Sequence, residues 1–434
     1  MEYNDNLYNF NANISSWRTF GAMSDHTWEP KLVELAEEYS HALERTPLLE
    51  IFPEETIRER IVQYEIMTRS SQTMLPLVDC GKPDVILGGR SYGRQIMQFQ
   101  PLYIRGSVNI SHCEINSRVR PGTINEPWSP TEQIAEHLQA LMEMHMNTWD
   151  VYRAYMLAHN GLNYTDPRTG VSVKVNAQVP AENFFSYSAS PGFGGRNEAT
   201  AFRSIENTFE DADPTQGVPW TEYRSDMVHT VRTLANWFTQ TYKGQVTQMY
   251  MHPQLISVIS QNAIVKLSMI SPNAGLIFNA NNNPATPLAL EAPDMHYIGS
   301  MTFGPNGQIN SIAGIPIIPV ATEHLNPVNG LITDVFPINK VIMVSNQDNQ
   351  GRSTPIGRTQ YCVSENMGGN PGLWVRTQTE SRIPAAPGMM MQVGNAGLPY
   401  IKMPHRVMHV TVGTPEDVKR RIGILPGNFW HQGV

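Results

Sequence analysis

Histidine is the residue type in this 434-residue sequence that most invites chemistry, with thirteen copies. A structural metal site needs three or four ligands converging from close spacing, and no HExxH or comparable cluster occurs. His137 and His145 stand eight apart on an expected helix, where they point in different directions. His405 and His409 lie four apart at an expected late strand and would share one of its faces. They are the best anchor for a soluble oligomeric enzyme, and otherwise read as core or interface histidines.

Gly192, Gly194 and Gly195 sit in a polar stretch, but a phosphate cradle needs a following Lys with Ser or Thr, or a third glycine opening a helix behind a strand. Here Arg196 and Asn197 follow, so a plain loop is expected. No GxSxG elbow occurs, and no carboxylate pair stands out as an acid and base. Cys80, Cys113 and Cys362 are odd in number and far apart, which excludes a disulfide framework and any CxxC site and fits a reducing cytosol. Cys80 reads as a solvated thiol near a hairpin tip. No catalytic, metal or cofactor site is expected.

The elements that would hold such residues are clearer. Residues 1 to 26, rich in Asn, Ser and Tyr and without a sustained period, read as an extended arm. From Trp28, the residues Leu32, Leu35, Ala36, Tyr39 and Leu43 fall on one helical face, with Glu34, Glu37 and Glu38 on the other. Ile57 to Met67 and Ile96 to Ile104 read as the strands of a long hairpin around a stretch holding Gly81, Gly88, Gly89 and Gly93. A two-stranded ribbon is marginal in water, so a projecting one implies a partner surface; the competing reading joins the strands to a main sheet.

Ser129, Pro130 and Glu132 form a helix-opening signal, and apolar residues at helical spacing carry the helix to about Asn160 and Gly161. Val171 to Val175 is a short strand, and a second helix runs from about Thr221 to Thr241. Ile312 to Val320, Val341 to Ser345, Trp374 to Thr377 and Val407 to Val412 are the later strands. The fold class is α+β.

Charge excludes further functions. The net charge is −8 with no basic run, which suits neither a phosphate-gripping surface nor sequence-specific DNA binding. No apolar run reaches the roughly 18 residues a membrane span needs, and the N-terminus has no signal-peptide pattern. Between Gly244 and Leu290 the only charged residue is Lys266, and Met301 to Ala321 has none. That depletion suits an interface between copies, with an ordinary buried core as the competing reading.

The order of these elements resembles the lambda-type major capsid protein family (major capsid protein E), which has the Hong Kong 97 fold. PLLEIFPEETIRERIVQYEI and PLYIRGSVNISHCEINSRVRPGT are similar to the two limbs of that family's extended loop. SPTEQIAEHLQALMEMHMNTWDVYRAYMLAHNGL resembles its spine helix, and MYMHPQLISVISQN the strand and helix opening its axial domain. ESRIPAAPGMMMQVGNAGLPYIKMPHRVMHVTV resembles its closing strands, while the arm is long and PGFGGRNEATAFRSIENTFEDADPTQGVPW has no counterpart.

The resemblance implies an N-terminal arm over 1–50, an extended loop over 51–110 and a peripheral domain over 111–220 with its spine helix at about 129–160. An axial domain over 221–375 and closing strands of the peripheral domain over 376–434 complete it. It implies a non-enzymatic subunit forming hexamers and pentamers of an icosahedral shell in a virion assembled in the bacterial cytoplasm. Its partners would be copies of itself, a separate scaffolding protein, a portal, a decoration protein and packaged DNA without sequence readout. An encapsulin-like compartment is the alternative within the same fold. Lys82, Arg90 and Arg94 near the hairpin tip, and Glu34, Glu37 and Glu38, are opposite in charge and are candidates for contact between subunits.

Overall fold

The computed structural model describes residues 36, 46–67, 94–111, 130–187, 219–221, 227–242, 244–262, 265, 301–303, 309–325, 332–347, 354–363, 371–380 and 388–422. The chain passes through β1 (Glu54–Thr56), β2 (Val62–Met67), β3 (Arg94–Phe99) and β4 (Leu102–Ser111) into α1 (Pro130–Ala158). There follow β5 (Gly161–Thr165), β6 (Ser172–Asn176), β7 (Phe184–Ser186), α2 (Met227–Tyr242), β8 (Gln248–Met251) and α3 (Pro253–Ser260). Next come β9 (Met301–Phe303), β10 (Ile309–Ile312), β11 (Ile315–Pro319), β12 (Glu323–Leu325), β13 (Ile332–Asp334) and β14 (Lys340–Val344). Finally β15 (Gly357–Cys362), β16 (Trp374–Glu380), β17 (Gly388–Ile401), β18 (Val407–Thr411) and α4 (Pro415–Ile422) close the described chain.

Two sheets organise the molecule. The first is built on the fourteen-residue β17, which pairs along its length with β4 and on its other side with β16 and then β15, while β1 adds to β15 in parallel. The second has seven strands in the order β7, β18, β14, β8, β11, β10, β9. Three two-stranded pieces, β2–β3, β5–β6 and β12–β13, stand apart.

α1 is 29 residues long, about 43 Å at 1.5 Å per residue. Its first half sets Ile134, Leu138, Leu141 and Met142 against Ile110, Val375, Met391 and Val393 of the first sheet, with Ala36 in the same core. Its second half sends Val151, Ala154 and Leu157 into a separate core shared with the ribbon and with β15 and β17.

The central strands of the seven-stranded sheet, β8, β14 and β18, are buried on both faces. Met249, Met251, Val341, Met343, Met408 and Val410 pack with residues of α2, α3 and α4, whereas Tyr250, Ile342, Val344 and Val407 join the core of the second half of α1. A strand covered on both sides has no place for charge. Among the described residues of 244–262, two-sided burial of β8 accounts for missing charge; in 309–321 one face is buried while Asn310, Pro316 and Pro319 are exposed and uncharged, so both readings stand there, and 266–300 lies outside the described residues.

Several expected strands divide. Ile96 to Ile104 breaks at Gln100–Pro101 into β3 and β4, because proline brings no N–H to a ladder. Ile57 to Met67 is preceded by β1 and becomes strand only at Val62. Ile312 to Val320 is not one strand but the turn and second limb of a hairpin: Ala313 (φ 53) and Gly314 (φ 80) reverse the chain between β10 and β11. Two consecutive positive φ values give the turn whose twist matches its strands. Gly314→Ala should cost about 1 kcal/mol and Ala313→Asn should recover about the same, measured as shifts in the urea midpoint.

Candidate functional site: the root of the ribbon

The ribbon is a six-residue antiparallel pair from Val62 opposite Phe99 to Met67 opposite Arg94. Its residues alternate as the pleat requires: Val62, Tyr64 and Ile66 are buried, while Gln63 on β2 and Ile96 and Gln98 on β3 are exposed, as is Ile61 just before β2. Tyr64 anchors the buried face, stacking on Tyr400 of β17 with ring centroids 4.0 Å apart and on Phe99 at 5.9 Å. The open face presents Ile96, 64% exposed. The ribbon thus joins neither main sheet by hydrogen bonds among the described residues, but it lies on the body along one face, and its return limb enters the first sheet as β4.

Just before β2 the chain is held by a buried ionic network. Arg153 of α1, 0% exposed, donates through Nη1 to Asp150 Oδ1 (2.9 Å), through Nη2 to Glu54 Oε1 (2.7 Å) and Tyr361 Oη (3.1 Å), and through Nε to Thr359 Oγ1 (3.1 Å). Tyr361 Oη donates onward to Glu54 Oε1 at 2.8 Å, and Thr46 Oγ1 donates to Asp150 Oδ1 at 2.9 Å. Asp150 and Arg153 come from α1, Glu54 from β1, and Thr359 and Tyr361 from β15. One guanidinium therefore fixes the helix, the sheet and the strand that leads into the ribbon, using the planar fork that lysine lacks.

Burial opposes charge on Arg153, but Tyr361, Asp150 and Glu54 outweigh it and its pKa rises. Burial also raises the Asp150 carboxyl, against the pull of Arg153 and Thr46. The Tyr361 phenol is pushed far above its ordinary range, chiefly by burial, so it remains a hydroxyl able to donate.

One turn earlier on α1, the buried Trp149 shares its indole N–H between His145 Nε2 (3.2 Å) and Asn395 Oδ1 (3.1 Å) of β17. Burial lowers His145 to about 4, with Glu54 opposing and Arg153 reinforcing, which keeps the ring neutral and able to accept.

The expected chemical residues are not brought together. His145 is buried and His137 half-buried, on different sides of α1 as their spacing implies. His405 and His409 do not share a strand face, because Pro404 starts the short 3-10 turn Pro404–Arg406 and β18 begins only at Val407. His405 tilts against Tyr242, whereas His409 is buried flat on Phe184. Among the described residues no group of three or more His, Cys, Asp or Glu could hold a metal. The Cys362 thiol is buried and pushed up to about 12, first by burial and then by Glu59, which makes it a poor nucleophile.

Lys82, Arg90, Glu34, Glu37 and Glu38 lie outside the described residues, as do Cys80, Cys113 and the loop from Gly192 to Asn197. Arg94 opens β3, where only its backbone is described. No described helix is long and apolar enough to cross a membrane.

No family model and no curated protein matches the sequence. Solved structures do. A prophage protein from Escherichia coli CFT073 described as a capsid protein is similar over 89% of this chain and 99% of its own, at 9% identity and a TM-score of 0.49. A phage-related protein from Bordetella bronchiseptica RB50 is similar over 87% and 96%, at 10% identity and 0.45. An encapsulin complex from Synechococcus elongatus PCC 7942 is similar over 85% and 89%, at 10% identity and 0.38. At these TM-scores the three are neighbours and no more, and the chain's own geometry has to carry a functional conclusion.

Proposed function

We propose that this chain is a shell-building structural subunit whose function is to associate with many copies of itself. More particularly, it acts as the major capsid protein of a tailed phage, forming hexamers and pentamers of an icosahedral shell of the Hong Kong 97 type around double-stranded DNA. The observation that carries this reading is the ribbon: hydrogen-bonded to neither main sheet among the described residues, open on one face, and rooted in a buried charge network on a long helix. A two-stranded ribbon that is half covered gains stability from a second surface. A root tied at once to helix and sheet passes any load on the ribbon to the body.

The order of ribbon, long helix, hairpin and two-sided sheet also follows the family that the sequence resembles. A net charge of −8 suits a wall that encloses DNA without gripping it. Contact of Lys82, Arg90 and Arg94 of one copy with Glu34, Glu37 and Glu38 of the next, and association with a scaffolding protein, a portal and a decoration protein, belong to the same proposal.

The test is electron microscopy of the protein expressed with its scaffolding protein, together with analysis of the particle contents. Closed shells that fill with genome-length DNA in an infected host support the reading. Shells holding cargo proteins and no genome would identify a compartment in place of a capsid. A small soluble oligomer would refute both.

A further inference from the structure

We propose that the seam between β7 and β18 is an acid-operated release: a proton taken up by His409 drives the three-residue β7 off the edge of the seven-stranded sheet while the first sheet stays paired. His409 lies in the middle of β18, opposite Ile342 of β14 on one side and Phe184 of β7 on the other. It is 2% exposed, and its ring lies flat on Phe184, with centroids 4.7 Å apart and planes 10° from parallel. Neither ring nitrogen has a hydrogen-bond partner in the protein. A neutral imidazole bears that at moderate cost, whereas an imidazolium, with two N–H donors and a full charge, does not.

The charged and titratable groups around it offer no relief. β14 contributes Lys340, and the turn just after α1 contributes His159, whose Nε2 bonds the Val335 carbonyl at 2.9 Å; both act against a positive charge on His409. β7 has no titratable residue. The short turn Ala181–Asn183 before it carries Glu182, whose carboxylate already accepts the Tyr242 hydroxyl. The turn before β18 carries His405, packed against Tyr242, and Arg406, which donates to the Gln347 carbonyl at 3.1 Å. A charged His409 must therefore reach water.

The wall that yields is β7. It pairs with β18 over three residues, against five for β14, and among the described residues it is the edge strand of the sheet. Asn183 Nδ2 donates to the Val407 and His405 carbonyls at 2.8 and 3.2 Å, Tyr187 N–H donates to the Thr411 carbonyl at 2.7 Å, and Phe185 packs edge-on against Trp237 on the face away from His409, so β7 can swing from His409 about that contact. Burial, reinforced by Lys340 and His159, holds the closed-state pKa of His409 down to about 3. With the seam open the ring titrates near its ordinary value of about 6.5. The stability contributed by the neutral ring is complete above that value and declines as pH falls toward 3. The opening equilibrium should thus rise about 30-fold between pH 7.5 and pH 5.

Hydrogen exchange on the full chain, corrected for the intrinsic pH dependence of exchange, reads this directly. Amides of β7 and β18 should open about 30-fold more at pH 5 than at pH 7.5, while those of β15 and β17 change less than about twofold. His409→Phe keeps a flat ring and removes the proton acceptor, and should reduce the rise to under about threefold; His159→Gln should leave it near 30-fold. Should His409→Phe fail to fold, carbon-13 histidine spectra of the unaltered chain decide. A neutral His409 signal exchanging with a protonated, solvent-exposed one supports the release, and one signal titrating near pH 6.5 in a closed seam overturns it. It is also overturned by unchanged opening, by equal acceleration in every strand, or by a full rise in His409→Phe.

Discussion

Arg153→Leu should lower the unfolding free energy by about 3–5 kcal/mol, an effect read from the denaturant midpoint at unchanged slope. Leucine fits the apolar helix face, yet it leaves Asp150, 13% exposed, and Glu54 facing one another without their shared cation. The cost is that of carboxylates stranded in a poorly solvated site. Exchanging Asp150 and Glu54 for Asn and Gln in the same chain should therefore recover a large part of the loss. Arg153→Lys should rescue little, because one ammonium cannot satisfy Asp150, Glu54 and Thr359 from the position of a planar fork. Exchange should quicken first in β1 and at the start of β2, where Glu54 is the link between helix and ribbon.

Tyr64→Ala should remove about 3–5 kcal/mol of packing and do so locally. The ring is buried between Tyr400 and Phe99 in the face that lays the ribbon on the body, and its loss frees the ribbon, whereas the core under the first half of α1 and the core between α2, α3, α4 and the seven-stranded sheet do not include it. The expected pattern is a chain that still folds, shown by cooperative unfolding of the remainder, but forms few or no closed shells. Tyr64→Phe keeps both stacking partners and should assemble normally. Equal assembly by Tyr64→Ala would detach the ribbon from shell building.

These two sites were not equally visible in the sequence. α1 was plain, since its opening residues and its helical period agree. The charged pair on its inner side was not, because Asp150 and Arg153 at i, i+3 look the same whether they face solvent or a core. The signal available was their company: Trp149, Tyr152 and Met156 occupy neighbouring positions on that side. β17, the longest strand, was hidden by composition, as GMMMQVGNAGLPYI holds three glycines and a proline. Gly397 shows why they are there: a Cβ at that position would lie 2.6 Å from the Gln360 carbonyl oxygen and 3.1 Å from Trp149.

Other differences have equally local causes. The β10–β11 turn is made by Ala313 and Gly314, outside the usual Asn-Gly signature, so an apolar run read as one strand. Pro404 separates His405 from the strand that holds His409. Burial of central strands on both faces removes charge as effectively as an interface between copies would, and composition cannot separate the two. Charge alone named Lys82, Arg90, Arg94, Glu34, Glu37 and Glu38, and apart from the backbone of Arg94 they lie outside the described residues.

The most direct test is a density map of particles formed by the full chain with its scaffolding protein. The ribbon face bearing Ile96 should lie covered by a neighbouring copy in every hexamer and pentamer of a closed shell. A chain that stays solitary at high concentration with that helper present, or a shell whose ribbons touch only their own subunit, would contradict the account.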